Sequence, residues 1–346
     1  MRSTIDPLRV NADPTGPVRQ RGARHVLYWM TAARRPTFNF GLQRAVEWSI
    51  ELGLPLVVLE ALRCGYPWAS DRLHRFVLQG MEDNARHFAR LPVTYHPYVE
   101  RAGGDGRGLL AALARRAAVV VTDEYPTFFL PAMRRAAARQ VGPRLEVVDS
   151  LGLAPLRDSE RAYPTAHVMR RRLQWRLPEH LGRFPADDPL DGVALPAPAP
   201  LEPHIAQRWP SAAGELLGRG VDLAALPMDH GVAPVALRGG FRAADERWRR
   251  FHRQRLDGYA SDRNQPDQGR ESGLSPYLHF GHISPHQVVG ELLAAEGWTR
   301  ARITGRPTGS RAGWWDLPAD HEAFLDQVIT WRELGHVFCF HRPDDH

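Results

Sequence analysis

Tyr259, Arg263 and Asn264 are followed by Glu271-Ser272-Gly273-Leu274-Ser275-Pro276-Tyr277-Leu278-His279-Phe280-Gly281-His282-Ile283-Ser284-Pro285, the stretch of this chain richest in residues that could meet a ligand. Ser272 and Gly273 let backbone approach a bound group closely. Ser275 is placed to open a helix whose free amides and dipole favour phosphate, so a dinucleotide diphosphate would suit the pattern. The same residues also read as two capped helix starts joined by a turn, the simpler reading on local sequence alone. Ser275-Pro276 and Ser284-Pro285 each pair an N-cap residue with Pro at the first helical position, and Ser284 with Gln287 has capping-box spacing.

Other clusters carry less. Gly103-Gly104-Asp105-Gly106-Arg107-Gly108 precedes a helical segment and could cradle an anion. It lacks the Gly-Lys-Ser/Thr of a P-loop and the Rossmann spacing, and so reads as a flexible loop. His279, His282 and His286 invite a metal, but Pro285 breaks any common helical face through them and no thiolate or carboxylate lies at zinc-like spacing, so no metal site is expected. Asp320-His321-Glu322 offers acid and base groups, yet a charged run at a helix entrance reads as solvated. No Gly-x-Ser-x-Gly elbow supports a hydrolase. Cys64 and Cys339 are the only cysteines, too few for a disulfide framework or a thiolate zinc site, so redox chemistry would need a cofactor.

The elements that must position these residues divide the chain. Val26 to Met30, Leu54 to Leu59, Ala118 to Asp123 and Leu145 to Asp149 are short apolar runs that read as buried strands. Between them Phe40 to Leu52, Asp71 to Leu91 (Asp71 as N-cap), Gly108 to Arg116 and Phe128 to Val141 have helical period. This alternation predicts a mainly parallel, Rossmann-like sheet covered on both faces, over residues 25–176. Residues 177–238 are Pro-rich, including Leu195-Pro196-Ala197-Pro198-Ala199-Pro200, and suit a connection without regular structure. From 239 to 346 the signals are helical: a segment beginning at Arg247-Trp248-Arg249-Arg250-Phe251, the two starts at Ser275 and Ser284, and an apolar period from Glu322 to Phe340. Residues 1–24 are polar, carry three prolines and no apolar h-region, and read as a flexible extension, with cytoplasm as the default compartment.

At 346 residues and 43% apolar the chain is long enough for two cores, and no apolar run approaches the ~20 residues that span a bilayer. A monomer without membrane contact is expected. Its 45 basic residues are all Arg and the net charge is +6, a balance that favours a polyanionic partner.

The spacing Tyr259-x-x-x-Arg263-Asn264, with the Ser272 to Pro285 run, resembles the flavin-binding signature of the photolyase and cryptochrome superfamily, specifically the class II cyclobutane pyrimidine dimer photolyases. The likeness extends back through Trp248, Phe251, Arg255 and Leu256. Forward, it reaches Phe324-Leu325-Asp326-Gln327-Val328-Ile329-Thr330-Trp331-Arg332-Glu333-Leu334, similar to the family helix that faces flavin and lesion. Val26 to Met30 resembles the family's opening strand.

What the resemblance implies is an α/β domain, a long linker and an all-α domain that holds FAD beneath a basic DNA-binding face. Tyr259, Ser272, Gly273, Leu274 and Ser275 would contact FAD, with Phe324 beside the flavin. Arg263 and Arg332 would bind DNA, and Gln327, Trp331 and Glu333 would lie at the flipped dimer or the flavin as catalytic residues. The implied activity is light-driven repair of cyclobutane pyrimidine dimers in ultraviolet-damaged DNA, by electron transfer from reduced FAD. The alternative is a non-catalytic photolyase-derived DNA- or nucleotide-binding remnant without stable FAD. The resemblance leaves the antenna chromophore unknown.

Three departures stand out. The family continues well past the point where this chain stops, so a shortened helical domain with an incomplete flavin cavity is expected. A neutral Gln327 occupies the lesion-facing position that is usually acidic. The first loop reads Arg34-Arg35-Pro36-Thr37-Phe38-Asn39, which leaves its role open.

Overall fold

In the computed structural model, which describes residues 3–12, 16–212, 217 and 222–344, the apolar runs become a six-stranded sheet. The strands are β1 (Val10–Ala12), β2 (His25–Met30), β3 (Leu56–Leu62), β4 (Val93–Val99), β5 (Ala117–Asp123) and β6 (Arg144–Val148), in the order β1-β6-β5-β2-β3-β4. All neighbours run parallel except β1, which is antiparallel to β6. Every residue of β2 and β5 is buried, which is why these strands read as continuous apolar runs instead of alternating ones. Val26, Tyr28, Met30, Val58 and Val121 pack on one face, while Leu27, Trp29, Val57, Leu59 and Val120 pack on the other. Helices α1 (Phe40–Leu52), α2 (Asp71–Phe88), α3 (Leu109–Ala114) and α4 (Leu130–Ala138) connect the strands. Ser70, not Asp71, takes the N-cap position of α2.

Two strands escape the sequence reading, for identifiable reasons. β4 carries Thr94, His96 and Pro97 and shows no apolar run. It is an edge strand, where Pro is tolerated, and the connection guards it: Ala212 N donates to Pro97 O at 2.8 Å and Thr94 Oγ1 to Ala199 O at 2.8 Å. β1 lies in the N-terminal stretch expected to be flexible. There Arg9 is only 1% exposed and donates to the carbonyls of Asp149, Gly152 and Leu153, so this part of the extension belongs to the core.

The helical part starts earlier than residue 239. Helix α5 (Ala166–His180), which the sequence reading leaves within the α/β domain, buries Met169, Leu173 and Leu177 in one cluster with Trp248, Phe251, Phe324 and Ile329. The Pro-rich connection that follows is not featureless. It forms α6 (Pro203–Arg208), seats Leu190 on one face of the sheet and lays Ile205 and Trp209 on the other. Beyond it come α7 (Phe241–Gln254), α8 (Tyr259–Asp262), α9 (Ser275–His279), α10 (Pro285–Ala295), α11 (Ala319–Leu325) and α12 (Arg332–His341), with a π-helical turn at Asp326–Trp331 between the last two.

The two Ser-Pro starts prove unequal. Ser284 caps α10, its side chain accepting from His286 N, but Gln287 turns to Asp245 and Glu291, so no capping box closes. At α9 the cap position is Leu274, no side chain caps the helix, and Ser275 is an exposed first-turn residue. Ser284→Ala should therefore cost about 1 kcal/mol in thermal or denaturant unfolding, and Ser275→Ala close to nothing; equal costs would contradict this assignment of caps.

Among the described residues no helix is long and apolar enough to cross a membrane.

Candidate functional site

The π-helical turn decides which signature residues meet. It sends Asp326 and Thr330 inward, where Asp326 pairs with Arg170 at 2.7 Å, and leaves Gln327 and Trp331 facing outward on successive turns. Arg263, at the end of α8, reaches them. With its amide oxygen facing the two donors, Gln327 accepts from Arg263 Nη1 at 2.6 Å and from Trp331 Nε1 at 3.3 Å. The Arg263 guanidinium also lies 5.8 Å from the centre of the Tyr259 ring, and Trp331 remains half exposed. The structure thus brings together Arg263, expected at the DNA backbone, with Gln327 and Trp331, expected at the flipped dimer or the flavin.

Beneath them lies a packed aromatic floor. Phe324 stacks on Trp248 with centroids 5.6 Å apart and meets Tyr259 edge-on at 5.5 Å, while Phe251 fills the remaining side. Tyr259, Leu274 and Phe324 are all buried in this one cluster. Asp320 accepts from Gly258 N and Ala260 N and so holds the start of α8. His321 pairs with Glu296 at 3.2 Å, and Glu322 is buried against the amides of Gly313 and Trp315. The run that reads as solvated is structural.

Around this floor lie several arginines, interspersed with acidic residues. Arg247, Arg250, Arg253 and Arg255 have no carboxylate partner among the described residues, whereas Arg249 pairs with Asp245 and Arg270 with Asp262. Arg247 Nε donates to Ser272 O at 2.8 Å, and its guanidinium covers Gly273. That glycine has φ +66°, and a Cβ on it would come within 2.6 Å of Arg247 Cζ. Arg247 is thus held at Ser272 and Gly273, shortly before the exposed Ser275, and its guanidinium is a donor suited to phosphate oxygens. The donor is chiefly the arginine. The helix start expected to do this opens a helix of only five residues.

Glu333 and Arg332 belong elsewhere. Glu333 accepts from Leu153 N at 2.7 Å, abuts Gly152 and lies near Arg9. Burial there pushes its carboxyl up to about 8. It is a junction residue between sheet and helices, its carboxyl turned onto the Leu153 amide while Trp331, two residues earlier, is exposed. Arg332 faces inward as well, donating towards His336 at 2.8 Å and Leu278 O at 3.4 Å, so it does not join Arg263 on the outer surface.

His282 accepts from Gly240 N at 2.9 Å, and burial among Arg34, Arg35 and Arg238 holds its pKa down to about 3. His286 packs edge-on against Phe40 and Phe184. Both are neutral packing residues. The first loop has a role too, since buried Arg35 donates to Gly281 O at 2.9 Å and Asn39 caps α1.

A cavity of about 1270 Å³ opens at the carboxyl ends of β2, β3, β4 and β5, beside the switch point where β2 separates β3 from β5. Trp29, Tyr98, Tyr125, Phe128 and Phe129 wall it, and His279 and Phe280 reach it from the signature segment. The Gly103 to Gly108 loop forms its rim, held by Glu100, which accepts from Gly104 N and Cys64 N. Arg63 and Arg107, also on the wall, have no carboxylate partner among the described residues. Sequence reasoning misses this cavity because its walls come from four separate loops. The signal available is a glycine run just after a strand.

No family model matches the chain. It is 25% identical over 326 residues to a deoxyribodipyrimidine photo-lyase of Potorous tridactylus, covering 92% of this chain and 54% of that protein. It is 29% identical over 261 residues to one from Methanothermobacter thermautotrophicus, covering 75% of this chain and 54% of that protein. The chain therefore spans little more than half the length of these curated relatives. Among solved structures, a bacterial class III photolyase from Agrobacterium tumefaciens superimposes with TM-score 0.66 at 18% identity, over 93% of this chain and 60% of that one. A Synechocystis cryptochrome superimposes with TM-score 0.57 at 15% identity, over 94% and 62%. The fold is that of photolyases and cryptochromes, and the sequence relatives support membership of this chain in the photolyase/cryptochrome superfamily.

Proposed function

We propose that the chain carries the DNA- and flavin-facing surfaces of a class II-like cyclobutane pyrimidine dimer photolyase. The observation that supports this most is the Arg263-Gln327-Trp331 cluster, with Trp331 exposed. Arg263 would contact a backbone phosphate. Trp331 offers an exposed ring on which a base can stack once the dimer leaves the helix, and a damaged pair is cheaper to extrude. With its oxygen engaged by Arg263 and Trp331, Gln327 has its amide N–H groups left to donate to a pyrimidine carbonyl; it has no proton to transfer.

FAD fits the residues present at its diphosphate end, where Arg247, Ser272, Gly273 and Ser275 would hold it, and when bound reduced it supplies the electron for ring splitting. Tyr259, Leu274 and Phe324 support those residues from within the core. The cavity at the sheet is read as a second ligand site, for a planar aromatic molecule whose polar substituents Arg63 and Arg107 would meet.

Duplexes with and without a single thymine dimer, titrated over a salt series, test the DNA surface. Arg263→Ala should weaken both by several-fold and lower the salt slope by about one, as for one lost phosphate contact, while Trp331→Ala should reduce preference for the dimer. No preference of the parent chain for the dimer would sink the reading. A loss in Arg263→Ala confined to dimer preference would mean that Arg263 is misplaced.

A further inference from the structure

The cavity mouth carries two residues that neither the DNA face nor the proposed flavin site uses. Trp68, between β3 and α2, and Phe128, between β5 and α4, both have left-handed backbone, with φ of 70° and 64°. This conformation is strained for any bulky L residue. Both rings are solvent-facing, 73% and 46% exposed, and both line the cavity. They nevertheless stack on each other, with centroids 5.5 Å apart and planes 24° from parallel.

Behind this pair the rings continue inward. Phe128 lies 4.6 Å from Phe129, Phe129 lies 5.4 Å from Tyr66, and Tyr66 stacks at 5.8 Å on His74 of α2. Two loops at the entrance thus hold strained backbone and exposed apolar rings, which meet in the Trp68–Phe128 stack. Neither ring is needed to fill a core. Each strained residue would relax if its loop swung away, so the stacking contact holds the pair together while the backbone favours its parting.

We propose that Trp68 and Phe128 form a two-ring gate that parts to admit a planar aromatic ligand and restacks to retain it. This rests on the reading of the cavity as a ligand site. A ring gate selects flat molecules, because a planar ligand slides between two ring faces that a bulkier, non-planar one must separate fully.

Riboflavin, planar and without a phosphate for Arg247, serves as the probe, its fluorescence followed by stopped flow with the full chain. Trp68→Ala and Phe128→Ala should each raise both the association and the dissociation rate by roughly tenfold, with the equilibrium constant changed far less. Trp175→Ala, which removes an exposed ring on α5 that is not part of the cavity wall, should change neither rate. Phe128→Gly accepts the left-handed backbone without strain and carries the test if an alanine variant fails to fold. Riboflavin binding with rates unchanged in Trp68→Ala and both Phe128 variants overturns the gate and leaves the cavity reading standing. Failure of the parent chain to bind riboflavin overturns the cavity reading and the gate with it.

Discussion

Gly281→Ala should cost about 3–5 kcal/mol of stability, read by denaturant unfolding, because the residue sits where the helices meet the sheet with no room for a methyl group. Its φ is +72°, and a Cβ would lie 2.8 Å from the carbonyl carbon of Ala32, closer still to that oxygen, and 2.9 Å from Arg34 N. Those are backbone atoms, and they are pinned. Asp123 at the end of β5 accepts from the amides of Thr31, Ala32 and Ala33 at 2.8, 2.8 and 3.0 Å. On the other side Arg35 donates to Gly281 O, so a shift of Gly281 also strands a buried guanidinium. Gly335 in α12 is the comparison: nothing lies within 4 Å of a Cβ there and its φ is ordinary, so Gly335→Ala should be neutral or stabilising by up to about 1 kcal/mol. Similar costs at the two sites would contradict the junction.

Glu333→Gln should change how stability depends on pH. The folded chain holds the Glu333 proton up to about pH 8, since burial disfavours the carboxylate more than Leu153 N and Arg9 favour it. The unfolded chain releases that proton near the ordinary glutamate value of about 4.3. Between these values the unfolded state binds fewer protons, so this group lowers stability progressively as pH rises from about 4.5 to 8 and adds no further slope above. The substituted amide would keep an oxygen for Leu153 N and has no proton to lose. Relative to the parent, the variant should gain on the order of 2–4 kcal/mol between pH 5 and pH 8.5. Parallel stability curves would show that Glu333 is not held neutral. A role at the flavin or lesion would instead leave stability unchanged and alter only activity.

Much of the architecture was legible because it follows from local pattern. Apolar runs at β2, β3, β5 and β6 mark buried parallel strands, and the helices between them show their period. The Arg263-Gln327-Trp331 cluster was legible in part, because the family resemblance pointed to these three residues, whereas their meeting was not. β4 was not, since an edge strand needs neither alternation nor an absence of proline. Nor was the role of the aromatic residues, because a ring that touches a ligand and a ring that touches Trp248 produce the same sequence pattern.

Tertiary structure alone decided the rest. Trp331 and Glu333 are two residues apart, yet the helix turns one toward solvent and the other onto Leu153, 180 residues away in sequence. Gly273 and Gly281 look alike within one signature. One lies under the Arg247 guanidinium, while the other presses on the backbone of Ala32. Periodicity specifies which residues face inward. What they meet there depends on contacts between distant segments, and the neutral state of Glu333, the cavity and the ring pair at its mouth all arise from such contacts.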